Sequence, residues 1–209
     1  GEATERLRAM VEAKQRAEGR RAEAARLAAE LAARRAEIAE QRRAAEAELA
    51  AVEPQMAAAK AAVSSIKKAN LDELRALPKP PELVQLALEA VVLVLSDDEM
   101  KPSPPWEEVR KHVRRDDFIS SLLGYDPSAT DARTLARLRK DYLGRDNFTY
   151  EAAMRASKAC GPMVEWVHSQ AAYAAMVEKV GPLRAEVDRL ETAASTLAAE
   201  CTKAEASVA

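Results

Sequence analysis

The stretch PPELVQLALEAVVLVL, residues 80–95, decides how this chain folds. Its apolar residues recur three and four positions apart, which is the spacing of one face of an α-helix. Leu88, Val92 and Leu95 add apolar side chains on the other faces, and Pro81 suits the first position of a helix. We therefore expect this helix to be buried on all sides and to form the centre of a small helical body.

The compact part of the chain surrounds this helix. Residues 65–168 contain seven of the eight aromatic residues and eight of the ten prolines, whereas both flanks consist mainly of Ala, Glu, Arg and Leu. Of all 209 residues, 32% are charged and 4% are aromatic, which is too polar for one globular core of that size. No segment has a convincing strand pattern. We therefore predict an all-α protein with a globular bundle of about six helices at residues 67–168, between helical arms at residues 1–66 and 169–209.

The two arms have the pattern of a long antiparallel coiled coil. Apolar residues of the first arm mostly keep a spacing of three and four but leave eleven residues between Ile38 and Leu49, which suggests a stutter in one long helix. A folded insert returns the chain close to where it left, so the arms should pair in opposite directions. The first ~27 residues then lack a partner, and we expect the chain to be part of a longer protein. In the second arm the apolar residues alternate steps of three and four without a gap, which is a heptad pattern. They are Tyr173, Met176, Val180, Leu183, Val187, Leu190, Ala194, Leu197 and Cys201.

The seam between these arms is predicted to be weakly locked. Many seam positions of the first arm are Ala, and Pro54 and Pro182 each remove a backbone donor and can kink a helix. On composition alone two explanations stay open. Either the loose packing of the seam has no functional consequence, or it allows one helix to slide along the other.

Local signals divide the bundle into short helices. Asn70 and Glu73 form a capping signature for a helix at residues 71–77, and a polar loop is expected at residues 96–105. The other predicted boundaries are a cap at Thr130 or Asp131, a stop at Gly144, a cap at Thr149 and an interruption at Gly161-Pro162.

The sequence has no motif of a catalytic or metal site. It contains neither a glycine-rich phosphate-binding loop nor the serine turn of a hydrolase. Cys160 and Cys201 lack the short spacing of zinc ligands, so we interpret them as reduced thiols, and His112 and His168 as structural or surface residues. No apolar run approaches the ~18 residues of a membrane span. We predict that this segment is not an enzyme and binds no metal, cofactor or membrane.

Positive charge gathers at three separate places. The formal net charge is −2, and residues 67–170 carry 16 Lys and Arg against 17 Asp and Glu, so an anionic partner would have to bind a local patch. Each cluster alone is typical of a solvated helix end, but a bundle that joins them would present a basic face to an acidic surface. The net negative charge and the lack of an aromatic-basic face argue against nucleic acid as that partner. The clusters are Lys67, Lys68 and Arg75; Arg114 and Arg115; and Arg155 and Lys158.

A series of spaced motifs runs through residues 65–184. They are Ile66-Lys67-Lys68, Pro80-Pro81 with Leu86-Ala87-Leu88-Glu89, Trp106 ahead of a basic helix, Arg115-Asp116-Asp117-Phe118-Ile119, Tyr142, Tyr150-Glu151, Arg155-Ala156-Ser157, Ala159-Cys160-Gly161-Pro162-Met163-Val164, Trp166, Tyr173 and Val180-Gly181-Pro182-Leu183-Arg184. In this order they resemble the stalk and microtubule-binding tip of dynein heavy chains.

The resemblance implies a partner and a set of site residues. In that family the first, third and last helices of a six-helix tip grip the microtubule, and the tip ends a coiled coil that projects from an ATP-driven ring. Glu151 matches an acidic residue that limits the affinity for tubulin. The matching microtubule-binding positions are Lys67, Lys68, Arg115 and Arg155, with Arg75 and Lys158 as further candidates.

The resemblance also implies how the arms are used and where the protein works. One stalk helix slides against the other by about half a heptad, roughly 5–6 Å, which gives Pro54 and Pro182 a role in register or as hinges. ATP and Mg would belong to the motor ring of the parent chain, with no cofactor in this segment. The location would be the cytoplasm and cytoskeleton, or the axoneme of a cilium or flagellum, where a leucine-rich-repeat light chain also binds some dynein tips.

Two features depart from the family pattern. Gln85 stands where many members have a basic residue, and residues 96–105 are too few for the long flap of some ciliary dyneins. Neither feature distinguishes a cytoplasmic from an axonemal parent. A hypothesis from a different class is a passive coiled-coil spacer or hinge with a structural head, which predicts one register instead of two.

Overall fold

The computed structural model describes residues 1–96 and 101–206, and within these ranges the chain is all-α, as predicted. Residues 97–100, which belong to the loop expected at 96–105, lie outside the described residues. In the described ranges there are nine α-helices, one 3-10 turn (Pro127–Ala129) and one π-helical segment (Arg139–Leu143). The α-helices are α1 (Glu2–Ala50), α2 (Glu53–Ser64), α3 (Lys68–Ala76), α4 (Glu82–Leu95), α5 (Trp106–Val113), α6 (Phe118–Gly124), α7 (Ala132–Leu138), α8 (Tyr150–Ala156) and α9 (Cys160–Ala206).

The chain divides into two compact units. The first consists of Gly1–Glu46 and Gly181–Ala209, and the second of Ala47–Val180. The divisions fall inside the two long helices α1 and α9. The six short helices α3 to α8, all in the second unit, form the globular bundle among the described residues.

The first unit is an antiparallel pair of helices. Ile38 of α1 lines the same groove as Ala194 of α9, and Ala45, further along α1, lines a groove with Val187, earlier in α9. Residue numbers therefore increase along α1 in the direction in which they decrease along α9. Arg42 pairs across the seam with Glu191. The predicted antiparallel direction is confirmed.

The seam of α1 has no stutter between Ile38 and Leu49, so this prediction was wrong. Ala45 is buried and Gln41 is half-buried, and they restore steps of three and four across the apparent gap. A search for large apolar residues missed them because one is small and the other is polar. The heptad positions predicted for α9 are all buried or half-buried.

The first arm is not one continuous helix, because α1 ends at Ala50 and α2 begins at Glu53. Pro54 has no N–H to donate to the carbonyl of Ala50, four residues earlier. The ladder resumes where the backbone N–H of Met56 donates to Val52 O at 3.2 Å. At Pro54, where the sequence predicted a kink, the first arm has a two-residue break between helices, across which Val52 N still donates to Leu49 O at 3.2 Å.

Helix α4 forms the centre of the second unit, as predicted. Nine of its fourteen residues are buried, and all but Glu89 belong to the hydrophobic core. The core also includes Trp166 of α9, whose indole Nε1 donates to Leu122 O at 3.1 Å. Tyr125 packs edge-on against the same indole, with ring centroids 5.7 Å apart.

Three predicted boundaries near prolines or capping residues were wrong. Helix α3 begins at Lys68, so Asn70 lies inside it and provides no side-chain cap. Pro81 is the residue before α4 and not its first residue. Gly161 and Pro162 do not interrupt a helix; they lie in the first turn of α9, where proline is tolerated because its missing N–H needs no helical partner.

Two predicted caps are confirmed. The Asp131 carboxylate accepts a hydrogen bond from Thr134 N at 2.7 Å, and the Thr149 hydroxyl accepts one from Ala152 N at 3.3 Å. Between them, α7 continues into the π-helical segment, which ends at Leu143 and is followed by the predicted stop residue Gly144. This π-helical turn, which contains more residues than an α-helical turn, was not evident from the sequence.

Candidate functional site

The first candidate cations lie at the start of α3. Lys67 is the N-cap residue, with extended backbone at φ −73° and ψ 140°, and Lys68 is the first helical residue. Both side chains are exposed. Among the described residues, no carboxylate comes within 4.0 Å of either ammonium group. Their charge is therefore available to an external anion.

The opposite end of α3 is joined to the end of α5 by hydrogen bonds. The Arg75 guanidinium donates through Nε to Val113 O at 2.8 Å and through Nη2 to Arg115 O at 3.1 Å. In return, Arg114 Nε donates to Arg75 O at 3.2 Å. The structure thus brings the first and second predicted clusters together. A helix of nine residues is about 13 Å long, which sets the scale of the distance from Lys68 to this junction.

Arg115 extends from this junction into solvent but already has a partner. Its Nε and Nη2 atoms donate to the two carboxylate oxygens of Asp117, each at 2.9 Å. This two-point contact raises the pKa of Arg115 and lowers the pKa of Asp117. Arg115 therefore belongs to an exposed ion pair, which any anionic partner would have to share or break.

The third cluster lies on and just after α8. Arg155 is in the last turn of this helix and Lys158 follows it, and both are exposed. Glu151 is one turn before Arg155, yet the described side chains of these two residues form no ion pair. Helices α5 and α8 both pack against α4, which is the common support of the second and third clusters.

Gly161 allows α8 to lie close to the start of α9. A Cβ atom at this position would be 2.9 Å from the Met154 sulfur and 3.2 Å from a ring carbon of Tyr150. Only glycine fits this approach without a shift of its neighbours. The loop before α8 is also held, because the His168 imidazole Nε2 lies 2.9 Å from Phe148 O in a hydrogen bond.

The family model described as the microtubule-binding stalk of dynein motor matches residues 5–208. This match covers nearly the whole chain. The chain belongs to the dynein stalk family.

Relatives of this dynein stalk agree with the family match. The cytoplasmic dynein heavy chain of Dictyostelium discoideum is 39% identical over 197 residues, which cover 94% of this chain and 4% of that protein. The cytoplasmic dynein heavy chain of Paramecium tetraurelia is 31% identical over 189 residues, which cover 90% of this chain and 4% of that protein. The chain therefore spans about 4% of the length of these relatives.

A solved structure supports the fold. The protein titled "Microtubule Binding Domain of DYNEIN-C" matches with a TM-score of 0.54 and 24% identity, over 66% of this chain and 94% of that one. Together with the family match, this confirms the resemblance found in the sequence and favours a motor stalk over a passive spacer.

The two prolines of interest differ in their settings within the stalk. Pro54 lies in the first turn of α2, directly after the interruption of the first arm. Pro182 lies inside α9, which continues through it without a break. Pro182 leaves the carbonyl of Glu178 without its helical donor.

The stalk has a buried polar cluster that the sequence did not reveal. The Glu89 carboxylate accepts hydrogen bonds from Gln85 Nε2 at 2.8 Å and from the Tyr142 hydroxyl at 3.4 Å. Burial raises the pKa of Glu89, although these two hydrogen bonds and the charge of Arg145 oppose the shift. Tyr142 lies in the π-helical segment, and burial raises its pKa as well.

The two cysteines of the stalk, Cys160 and Cys201, are buried and form no disulfide. Burial raises the pKa of Cys160 to about 12, so its thiol stays protonated at neutral pH. Within the described ranges, no group of His, Cys, Asp and Glu is placed to hold a metal ion. None of the described helices combines the length and apolar character needed to cross a bilayer.

Proposed function

We propose that this dynein stalk binds microtubules through a basic surface formed by the start of α3, the α5–α6 junction and α8. One observation carries the proposal. Lys67 and Lys68 are exposed, with no carboxylate of residues 1–96 or 101–206 paired to them, at one end of a helix whose other end is hydrogen-bonded to the segment that bears Arg115. The surface of tubulin is taken as the acidic partner, in keeping with the family of the chain.

The residues of this surface have different roles. Lys67, Lys68, Arg155 and Lys158 are the direct contacts, since they are exposed and their charges are uncompensated in the described structure. Arg115 is a contact that must share its guanidinium between tubulin and Asp117. Glu151 reduces affinity by repelling the acidic surface, because it makes no ion pair with Arg155 that could hold that residue back.

The second part of the proposal concerns sliding within the coiled coil. A shift of about half a heptad, roughly 5–6 Å, between α1–α2 and α9 would report the nucleotide state of the motor to the tip. The small seam residue Ala45 supports such a shift, because a single methyl group contributes little packing to hold one register. The break between α1 and α2 before Pro54 supports it as a point at which the first arm can bend. Pro54 and Pro182 would act as hinge or register positions.

The parent chain is proposed to be an ATP- and Mg-dependent motor of the cytoplasm and cytoskeleton, in line with the names of its relatives. An axonemal parent with a leucine-rich-repeat light chain on the tip is the alternative location. Binding of the stalk to a purified light chain would distinguish the two.

Co-sedimentation with microtubules tests the basic surface. The double substitution Lys67→Glu and Lys68→Glu is expected to reduce pelleting strongly, and raised salt is expected to reduce the binding of the unsubstituted stalk. The double substitution Lys14→Glu and Lys140→Glu is the control matched in charge, since both lysines are exposed and neither is among the proposed contacts. Equal losses for the control and the variant at Lys67 and Lys68, or binding insensitive to salt, would contradict the proposed surface.

A further inference from the structure

Arg75 stands apart from the other candidate cations of this surface by its burial. Its side chain is 22% exposed, whereas that of Arg115 is 64% exposed. Its Nε and Nη2 atoms donate to Val113 O and Arg115 O, and its Nη1 atom lies 3.5 Å from an oxygen of Asp72. All three nitrogens of the guanidinium thus face groups of the protein, which leaves few donors for an external partner.

One of the two carbonyls that Arg75 binds, Val113 O, belongs to a helix end. Val113 is the last residue of α5, and the last carbonyls of a helix have no partner within it and carry partial negative charge. The planar guanidinium donates at once to this carbonyl and to Arg115 O, which also accepts from Phe118 N at 3.2 Å. We call this paired donation the fork. A lysine ammonium group is a single donor centre on a flexible chain and does not reproduce it.

The contact is reciprocal and extends along α5. Arg114 Nε donates to Arg75 O at 3.2 Å. Next to it, Leu77 O accepts hydrogen bonds from the Trp106 indole at 2.8 Å and from Arg110 Nη1 at 3.1 Å. The C-terminal end of α3 is therefore fastened to both ends of α5.

We propose that Arg75 is a positioning residue, which holds α3 against the segment bearing Arg115 and does not itself contact tubulin. This inference rests on the proposed function, since the surface it orders is the microtubule-binding one. The proposal means that Lys67 and Lys68, at the start of α3, keep a fixed position relative to Arg115. Loss of the fork leaves the end of α3 held by the bonds to Arg75 O and Leu77 O alone, which loosens α3 and shifts these charges relative to one another.

Two charge-preserving substitutions separate positioning from contact. Arg75→Lys keeps the positive charge but loses the fork, and it is expected to weaken microtubule affinity by at least about twofold and as much as Arg75→Gln does. Arg6→Lys, the same exchange at an exposed position of α1 that is not among the proposed contacts, is the matched control and is expected to bind like the unsubstituted stalk. If Arg75→Lys binds normally while Arg75→Gln binds weakly, then charge alone is needed and the proposal is wrong.

Amide hydrogen exchange without microtubules tests positioning independently of binding. In Arg75→Lys, exchange is expected to be faster in α3, with α9 unchanged as the control for the intact fold. Unchanged exchange in α3 overturns the proposal whatever the affinity. If the unsubstituted stalk does not bind microtubules, the proposed function is wrong, and exchange alone then decides whether Arg75 holds α3.

Discussion

The ion pair between Arg115 and Asp117 leads to a prediction of tighter binding. Asp117→Asn removes the carboxylate that occupies two nitrogens of the Arg115 guanidinium, each at 2.9 Å. The freed guanidinium can then give both donors to the acidic partner, and a repulsive negative charge disappears from the surface. We expect the affinity for microtubules to rise.

The size of the gain follows from the exposure of the pair. The side chains of Arg115 and Asp117 are 64% and 50% exposed, so the new contact with tubulin is of the solvent-exposed kind. Such contacts contribute about 0.2–1 kcal/mol, which corresponds to an affinity about 1.4 to 5 times higher. The gain is expected to shrink as salt is raised, because exposed charges are screened over roughly 8–10 Å at physiological ionic strength.

Asp116→Asn is the control for this prediction. It removes the same charge one residue earlier, from an exposed side chain that holds no ion pair with Arg115 in the structure. Co-sedimentation at several microtubule concentrations gives the dissociation constants of both variants. Equal gains in both would mean that only net charge matters, and weaker binding in Asp117→Asn would mean that the pair orients Arg115 for tubulin; either result refutes the reasoning.

Three further predictions concern the fold around the site. Trp166→Phe leaves Leu122 O without the indole donor and is expected to cost about 1–3 kcal/mol in urea unfolding, in addition to a packing loss. Because burial raises the Glu89 pKa, this carboxyl stabilises the fold below its ordinary value of 4.5 and loses that effect as pH rises; Glu89→Gln should therefore raise the melting temperature more at pH 8 than at pH 5. Gly161→Ala forces a Cβ atom to 2.9 Å from the sulfur of Met154, and we expect about 1 kcal/mol of destabilisation in thermal unfolding together with weaker pelleting. Unchanged unfolding in the first and third variants, or equal pH profiles in the second, would contradict these assignments.

The features predicted correctly from the sequence depend on local patterns. The buried helix α4 follows from apolar residues on every face, and the caps at Asp131 and Thr149 each need only a bond to a residue three positions away. The coiled-coil direction follows from the folded insert between the arms. The dynein resemblance added the function, which no single cluster indicated.

The features that were missed depend on contacts between residues distant in sequence or on small side chains. The hydrogen bonds of Arg75 reach 38 and 40 residues along the chain, so this residue was indistinguishable from a solvated cation. Ala45 was invisible as a seam residue because the pattern was traced through large apolar residues. The start of α3 was misplaced because Asn70 and Glu73 imitate a cap from inside the helix.

A lysine footprint tests the central claim most directly. Lysines of the dynein stalk would be acetylated briefly, with and without microtubules, and the modification at each position measured by mass spectrometry. The basic surface predicts that microtubules protect Lys67, Lys68 and Lys158, while the exposed Lys14 and Lys140 react as before. Protection of Lys140 with continued reaction at Lys67 and Lys68 would contradict the account.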